Sequence, residues 1–225
     1  MEQFTRTVRL IQEESIQKLH QKKVAVFGLG GVGGYAVEAL CRMGVGHLVV
    51  IDNDVVEVSN INRQLYALHS TVGRYKVDIA KERCLDIHPN VIMTTYKDFY
   101  LPDRGLEYMF EDCDYVIDAI DTIKAKITLI HACQQKKIPI ISVMGTGNKL
   151  DPGKFEIMDL HQTTFCPLAK VMRKQLKRRA ITTCKVVCSS EKAIKVDSSV
   201  PGSVSYVPGS AGLLAASHVV NELLK

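Results

Sequence analysis

Short runs of apolar residues alternate along the chain with longer segments in which apolar residues recur every three or four positions. An uninterrupted apolar run is typical of a strand buried on both faces, and the longer spacing is typical of an amphipathic helix. The pattern predicts strands over 23–27, 47–51, 91–96, 115–119, 138–143, 155–160 and 186–189. It predicts helices over 5–22, 32–43, 77–87, 106–111, 123–136, 167–179 and 211–224. Such alternation favours an α/β protein with a doubly wound, mainly parallel, Rossmann-like sheet.

The alternation runs along the chain without an internal repeat or a linker, which predicts one domain over 1–225 with an N-terminal helical arm over 1–22. No apolar run approaches the roughly 18 residues that cross a bilayer, and the charged N-terminus carries no secretory signal. The seven cysteines stand singly and include no CxxC pair. This usage is typical of reduced thiols in the cytoplasm and argues against a four-cysteine zinc site. We therefore expect a cytoplasmic protein with no membrane partner and no zinc.

Positive charge is concentrated in one basic segment, 160–190. The chain holds 29 basic and 24 acidic residues, which gives a net charge of +5. Between Leu160 and Ser190 lie seven basic residues and no acidic one, so this segment alone supplies the excess. The seven are Lys170, Arg173, Lys174, Lys177, Arg178, Arg179 and Lys185. Such a cluster indicates a surface for a polyanion such as nucleic acid, and the alternative is a solvated helix face.

A glycine-rich turn follows the first predicted strand. The letters GLGGVG fit the GxGxxG pattern and place Gly28, Gly30, Gly31 and Gly33 between a strand and a helix. Glycines let the backbone approach a phosphate closely, and the free N–H groups at a helix N-terminus bind it. Asp52 ends the second predicted strand, where its carboxylate can accept hydrogen bonds from a ribose. These residues predict a nucleotide-binding fold, for which NAD would be the usual ligand.

The residues after Asp52 suit phosphate chemistry better than hydride transfer. Arg63 follows the second strand and Lys76 precedes the next predicted helix, which puts two cations near the glycine turn. Charge develops on phosphate groups during nucleotidyl transfer, and cations stabilise that charge. Asp121 follows the fourth strand at the carboxyl edge of the sheet, where a metal or ribose ligand is expected. An NAD-binding or redox-sensing module without catalysis is the alternative.

Four motifs, GLGGVG, IDNDVVEVSNINRQ, GRYKVDIAKER and VIDAIDT, resemble in order and spacing the adenylating core of the HesA/MoeB/ThiF superfamily, which includes the ubiquitin-activating enzymes. The resemblance covers 5–145 and implies ATP and Mg²⁺ as cofactors. It implies that Gly31 and its neighbours hold the phosphates and that Asp52 binds the ribose. The residues that it assigns to the triphosphate are Asn60, Arg63 and Lys76. Its acids for magnesium are Asp54 and Asp121, of which Asp121 is the better match.

The segment RTVRL near the N-terminus resembles one that, in this superfamily, sends an arginine into the partner subunit's site. Arg9 is the closer match and Arg6 the second. The resemblance therefore implies a homodimer with composite ATP sites. The catalytic residues that it implies are Arg9, Arg63, Lys76 and Asp121.

One branch of the superfamily is similar across nearly the whole chain. RTVRL, VIDAIDT, KIPIISVMGTGNKLDPGKFEIMDL and CPLAKVMRKQLKRR resemble segments of the tRNA threonylcarbamoyladenosine dehydratases, TcdA or CsdL. That branch implies ATP-dependent activation of a threonine carboxylate next to the tRNA anticodon, followed by ring closure with net loss of water. It implies that tRNA contacts the basic segment. The residues expected to do so are Lys170, Arg173, Lys174, Lys177, Arg178 and Arg179.

Two alternatives within the superfamily stay open. ThiF and MoeB adenylate the C-terminal glycine of a sulfur-carrier protein, although they normally carry the paired CxxC motifs that this chain lacks. A sulfur-relay protein is also left open as a partner. Ubiquitin-activating enzymes use a catalytic cysteine, for which Cys166 is the first candidate. The others are Cys188 and Cys184, which stands beside Lys185 in a setting expected to lower a thiol pKa.

Overall fold

The computed structural model describes residues 2–101 and 106–225 and confirms the α/β architecture. The strands are β1 (Lys23–Phe27), β2 (His47–Ile51), β3 (Ile92–Tyr96), β4 (Tyr115–Asp118), β5 (Ile140–Val143), β6 (Phe155–Asp159) and β7 (Lys185–Ser189). The α-helices are α1 (Thr5–Ile11), α2 (Glu13–His20), α3 (Gly33–Arg42), α4 (Lys76–Ile87), α5 (Ile123–Gln135), α6 (Pro167–Lys177) and α7 (Tyr206–Leu224). Among the described residues, no helix is both long enough and apolar enough to cross a membrane.

One seven-stranded sheet organises the molecule, in the order β3-β2-β1-β4-β5-β7-β6. Every neighbouring pair is parallel except β6 and β7, which are antiparallel. The strand order reverses between β1 and β4. At such a switch point the segments that leave the two strands diverge and open a crevice at the carboxyl edge of the sheet, where α/β proteins bind ligands.

Helices cover both faces of the sheet, which explains why its strands are apolar without alternation. Successive strand residues point to opposite faces. From β1, Val24 and Val26 belong to a core with residues of α3 and α7, and Ala25 and Phe27 belong to a second core with residues of α5 and α6. The predicted doubly wound sheet is therefore correct.

The predicted helix over 5–22 is wrong in one respect, because the chain breaks at Gln12. Gln12 has a φ of 70° and its N–H donates to the carbonyl of Val8, which ends α1. Helix α2 then buries Ile16 and Leu19, whereas α1 has no buried residue. The break separates an exposed α1, which carries Arg9, from an α2 that packs on the body of the protein.

The last helix begins five residues before the predicted position, 211, and therefore includes Pro208 and Gly209. Pro208 is the third residue of α7, where a helical N–H has no intrahelical partner to lose. A Cβ at Gly212 would lie 2.2 Å from the carbonyl oxygen of Val32, which immediately precedes α3. Gly212 therefore permits close packing of α7 against the start of α3.

Candidate active site

A cavity of about 350 Å³ opens at the switch point of the sheet. Its wall contains most of the residues that the sequence predicts for the nucleotide. These are Gly28, Gly30, Gly31, Asp52, Asp54, Arg63, Lys76 and Asp121. Gly33 and Asn60 are not part of the wall, and neither is Arg9 of the same chain. Residues from four separate motifs are thus brought to one site by the parallel sheet.

The four positions of the turn are occupied by glycine for two different structural reasons. Gly28 has a φ of +86°, and a Cβ there would lie 2.7 Å from the carbonyl oxygen of Ala119. A Cβ at Gly33 would lie 1.8 Å from the carbonyl oxygen of Gly28, so that glycine lets α3 begin against the turn. Gly30 and Gly31 line the cavity and leave their backbone accessible to a ligand. The assignment of Gly33 as a contact residue is therefore not supported, because its function is packing behind the turn.

Asp52 joins the glycine turn to the loop after β2. It is 9% exposed, and its Oδ2 accepts a hydrogen bond of 2.6 Å from the N–H of Leu29. Its Oδ1 accepts one of 2.7 Å from the N–H of Asp54. Burial raises the pKa of Asp52, and the charge of Lys76 acts in the opposite direction. A carboxylate has acceptor capacity beyond these two bonds, so Asp52 can also accept from ribose hydroxyls.

Lys76 is the principal cation of the cavity. Its side chain is only 5% exposed, and its Nζ lies 2.8 Å from the Oδ2 of Asp54, whose side chain is 60% exposed. Lys76 is the first residue of α4, and its N–H donates to the carbonyl of Asp54. Both backbone and side chain thus fix the lysine next to an acid that stays in contact with solvent.

Arg63 contributes the second cation from the opposite part of the same loop. Its Nη1 donates 2.8 Å hydrogen bonds to the carbonyl of Ser59 and to the Oδ1 of Asn62. A guanidinium has five donors, so the remaining ones are available to a phosphate.

Asn60 is predicted to contact the triphosphate, but it lies outside the cavity wall. It is 8% exposed, and its Oδ1 accepts a 3.1 Å hydrogen bond from the N–H of Glu57. Its carbonyl accepts from the N–H groups of Arg63 and Gln64, which both line the cavity. Asn60 therefore shapes the turn that presents Arg63, and its side chain does not reach the cavity wall in this arrangement.

Several residues of the wall were missed by the sequence analysis. They are Asn53, Gln64, Asp98, Phe99, Tyr100, Ile120, Thr146, Ser203 and Pro208. A usable signal existed for Asp98–Tyr100 and Thr146, because the segments after β3 and β5 leave the same edge of the sheet as the glycine turn. Ser203 had no local signal. Its carbonyl accepts a 3.0 Å hydrogen bond from the Nδ2 of Asn62, which brings a distant loop to the cavity.

Helix α6 carries the basic segment, and its cations are not equivalent. The apolar face of α6 is buried through Ala169, Met172 and Leu176. Arg173 is half-buried, and its Nη1 donates to the carbonyls of Leu160 (3.4 Å) and Thr163 (2.8 Å) and to the Oγ1 of Thr163. The other predicted cations are exposed, namely Lys170, Lys174, Lys177, Arg178 and Arg179. Arg173 therefore holds the preceding loop, which does not favour its predicted contact with nucleic acid.

The start of α6 lies beside the cavity. Cys166 precedes the first turn of α6, and its Sγ would lie 3.6 Å from a Cβ at Gly145. Gly145 directly precedes Thr146, which lines the cavity. The basic helix therefore begins beside Gly145, next to a residue of the cavity wall.

The candidate catalytic cysteines do not reach the cavity. All seven cysteines are free and buried, and within residues 2–101 and 106–225 none belongs to the cavity wall. A hydrogen bond with Cys188, together with N–H groups at the start of α6, lowers the pKa of Cys166. Burial raises the pKa of Cys184 to about 12. The expectation that Lys185 would lower the pKa of Cys184 is therefore wrong, because burial and the nearby carboxylates of Asp118 and Asp159 raise it.

Comparison with known proteins agrees with this geometry. The ThiF family model matches residues 4–225. The tRNA threonylcarbamoyladenosine dehydratase of Bacillus subtilis is 41% identical over 243 residues, which cover 100% of this chain and 96% of that protein. A crystal structure of the Escherichia coli tRNA N6-threonylcarbamoyladenosine dehydratase, TcdA, in complex with ATP superimposes with a TM-score of 0.93 at 35% identity. The superposition covers 99% of this chain and 94% of that one.

A relative that is named as an adenylyltransferase matches less of the chain. The molybdopterin-synthase adenylyltransferase of Escherichia coli is 32% identical over 126 residues, which are 56% of this chain and 50% of that protein. The resemblance found in the sequence motifs is confirmed, and the chain belongs to the ThiF family, in the branch of the tRNA threonylcarbamoyladenosine dehydratases.

Proposed function

We propose that the protein is an ATP-dependent enzyme that converts threonylcarbamoyladenosine in tRNA to its cyclic form by adenylating the threonine carboxylate. One observation carries the proposal. A nucleotide-type cavity lined by a glycine turn, an acid and two cations lies next to the start of an exposed basic helix. ATP and a polyanionic substrate can therefore meet at one place. The match to dehydratases over the whole chain supports the choice of substrate.

ATP is assigned to the cavity by the chemistry of its wall. The backbone at Gly30 and Gly31 receives the phosphates, and Asp52 accepts hydrogen bonds from the ribose. Lys76 and Arg63 bind the triphosphate. Both cations then stabilise the charge that develops on the α-phosphate and on the leaving pyrophosphate.

Magnesium fits the acids of the cavity. A magnesium ion that accompanies a nucleotide is usually held by one or two carboxylates and by the phosphates themselves. Asp121 is exposed and Asp54 is mostly exposed, and both line the cavity, so they are the residues that would hold it. When bound, the ion would neutralise phosphate charge. Asp54 would then exchange part of its contact with Lys76, which frees the lysine for the nucleotide.

The chemical logic follows from the poor reactivity of a carboxylate. Its oxygen attacks the α-phosphorus and displaces pyrophosphate, which converts that oxygen into part of a good leaving group. A nucleophilic atom of the same substrate then attacks the acyl carbon and gives up its proton to solvent. AMP leaves with the former carboxylate oxygen, so the nucleoside has lost the elements of one water. Because the second step is intramolecular, the enzyme mainly holds the substrate in a reactive geometry. This route needs no cysteine nucleophile, in agreement with the burial of all seven thiols.

We further propose a homodimer in which Arg9 reaches the cavity of the partner subunit. Arg9 is an exposed residue of α1, a helix that has no buried residue and ends at the break at Gln12. A mixing experiment tests this arrangement. Arg9→Ala and Lys76→Ala should each be inactive, and an equimolar mixture should recover activity, because a mixed dimer retains one intact composite site. A mixture that stays inactive would contradict the shared site.

The tRNA surface is assigned to the exposed cations of α6. Lys170, Lys174 and Lys177 recur along one side of the helix, and Arg178 and Arg179 follow in the turn after its last residue. Phosphate contacts of this kind give affinity that falls steeply with salt. We place the reaction in the cytoplasm.

The decisive experiment measures the modified nucleoside. Purified protein is incubated with ATP, Mg²⁺ and tRNA that carries threonylcarbamoyladenosine, and the nucleosides are analysed by mass spectrometry. A loss of one water that requires ATP, disappears in Asp121→Ala and persists in the surface control Asp86→Ala would support the proposal.

The competing function has its own signal. An unchanged nucleoside together with ATP–pyrophosphate exchange in the presence of a carrier protein ending in Gly-Gly would indicate a ThiF-like or MoeB-like activating enzyme. The nucleoside assay, repeated with a sulfur-relay protein added, tests whether such a partner affects turnover of the tRNA substrate.

A further inference from the structure

A fully buried lysine lies directly behind the cavity. Lys126, on the first turn of α5, has a side chain that is 0% exposed, and its Nζ is 3.0 Å from the Oδ2 of Asp118. The side chain of Asp118 is also 0% exposed. Lysine and aspartate are almost never fully buried unless they are paired, and two such groups at the core of one site require an explanation.

The ammonium group of Lys126 points at one short segment of chain. Besides Asp118 Oδ2, its Nζ donates to the carbonyl of Ile120 at 3.0 Å and lies 3.5 Å from the carbonyl of Asp118. Asp118 in turn accepts from the Oγ of Ser142 at 2.6 Å and from the N–H of Ile120 at 3.1 Å. An ammonium group has three donors, and three acceptors of residues 118–120 surround this one. Lysine and aspartate together therefore hold the backbone where it leaves β4.

That segment supports two parts of the cavity. A Cβ at Gly28 would lie 2.7 Å from the carbonyl oxygen of Ala119, so the glycine turn rests on this peptide. A Cβ at Gly33 would lie 3.3 Å from the Cβ of Ala119, so the start of α3 rests there too. Ile120 and Asp121 continue the segment into the cavity wall. A small displacement of the segment would move both the phosphate-binding turn and Asp121.

We infer that Lys126 is a positioning residue: with Asp118 and Ser142 it holds residues 118–121 so that the glycine turn and Asp121 face the triphosphate of ATP. The inference rests on the proposed function in so far as ATP is the ligand. Lys126 does not itself line the cavity, so its effect must pass through Ile120 and Asp118. Apolar packing would serve stability as well as a buried ion pair does, whereas a charged pair with directional bonds fixes a backbone position.

The test uses a double variant that keeps the interior uncharged. Asp118→Asn with Lys126→Met removes both charges, retains a side-chain oxygen for the N–H of Ile120, and deletes the donor to the carbonyl of Ile120. Ile130→Val is the matched control, because it removes one methyl group from a fully buried residue of the same helix and changes no polar contact. Thermal unfolding is recorded for all three proteins, and binding is measured well below each midpoint.

Calorimetric titrations with ATP plus Mg²⁺ and with AMP separate positioning from folding. We expect the double variant to bind AMP with unchanged stoichiometry and with a smaller loss of affinity than for ATP, since AMP keeps the α-phosphate at the glycine turn but lacks the β- and γ-phosphates that Asp121 serves. Its ATP affinity should fall about tenfold and its turnover about 10²-fold, the scale for a misplaced reactive group. Ile130→Val should match the wild type in AMP affinity, ATP affinity and turnover.

Two results would overturn the inference. One is wild-type ATP affinity and turnover in the double variant. The other is an equal loss of ATP and AMP binding with reduced stoichiometry, which would show that the pair only stabilises the fold. A wild-type protein that binds ATP but leaves the tRNA nucleoside unchanged would refute the proposed function alone, because both titrations are independent of tRNA.

Discussion

Two lysine–aspartate pairs, one on each side of the glycine turn, place almost the same chemical groups in opposite settings. Lys76 and Asp54 are 2.8 Å apart, and the side chain of Asp54 is 60% exposed. Lys126 and Asp118 are 3.0 Å apart, and both side chains are fully buried. A hydrated acid can release its lysine to an incoming phosphate, whereas a buried acid cannot. The burial of the partner therefore distinguishes a cation that is available to a ligand from one that is locked into the fold.

Lys76→Met is expected to give the largest effect on catalysis. The variant loses the cation that faces the triphosphate but keeps the apolar stem that packs under the loop. Turnover of tRNA should fall about 10³-fold, in the range seen when one charge-stabilising donor is removed. The free energy of unfolding should change by less than about 1 kcal/mol, because Asp54 is already hydrated. Kinetic assays and urea denaturation of the same sample measure both quantities, and a large loss of stability would refute the distinction between the two pairs.

Lys126→Met alone, in contrast, should show its main effect on the free energy of unfolding. Removing the lysine leaves Asp118 as an unpaired charge in the interior, which typically costs about 3–5 kcal/mol. The midpoint of urea denaturation should fall accordingly, and adding Asp118→Asn should restore most of the loss. If the single variant is as stable as the double one, Asp118 is not charged or not sealed from water, and the comparison fails.

The difference between the two pairs also explains what the sequence could predict. The glycine turn, Asp52, Arg63 and Lys76 stand in contiguous motifs whose spacing follows from a strand–turn–helix unit. Lys126 lies in the predicted helix 123–136 like any surface lysine, and nothing in its immediate neighbours indicates burial. Its role arises only when β4, β5 and α5 pack together. Local pattern therefore identifies residues that face a ligand more readily than residues that hold them.

Backbone hydrogen bonding explains where the fold differs from its prediction. The apolar periods predicted nearly every strand and helix, because both faces of the sheet are covered and its strands read as continuous apolar runs. The start of α7 was mispredicted because Pro208 favours a loop when it is considered alone, whereas it stands at the third position of the helix, where no intrahelical hydrogen bond is lost. The role of Asn60 was carried over from its motif, and the structure gives it a backbone-shaping contact instead. In both cases the deciding factor is the hydrogen bonding of the backbone.

The basic helix offers a second comparison of a free and a locked cation. Lys177 is exposed, whereas Arg173 donates to two carbonyls and to the Oγ1 of Thr163. We expect Lys177→Ala to reduce the slope of log affinity for tRNA against log salt by about one, with unchanged stability. Arg173→Ala should leave that slope unchanged and lower the free energy of unfolding by about 1–3 kcal/mol, because buried acceptors lose their donor. Binding titrations over a range of salt distinguish the two, and equal slopes for both variants would contradict the assignment.

The smallest expected effect concerns two packed histidine rings, a buried His88 and a half-buried His20, that have no counter-ion among the described residues. The rings of His20 and His88 stack at 5.4 Å, and Phe4 packs edge-on against both. Burial lowers the pKa of each histidine below its usual value of 6.5. Below about pH 6.5 the unfolded chain therefore binds more protons than the folded one. The free energy of unfolding should be at its full value above that pH and should decrease as the pH falls towards the lowered values.

Denaturation curves recorded from about pH 8 to about pH 5.5 measure this dependence. His88→Gln removes one of the two titrating rings and can keep a hydrogen bond with Gln3, so its stability should depend less on pH than that of the wild type. His69→Gln, at an exposed position in another loop, should leave the wild-type curve unchanged. A residual slope is expected in His88→Gln, since burial lowers the pKa of His47 and His218 as well. An increase in stability on acidification would mean that the folded protein binds protons at these rings more readily than the unfolded chain does. That result would contradict the lowered pKa values of His20 and His88.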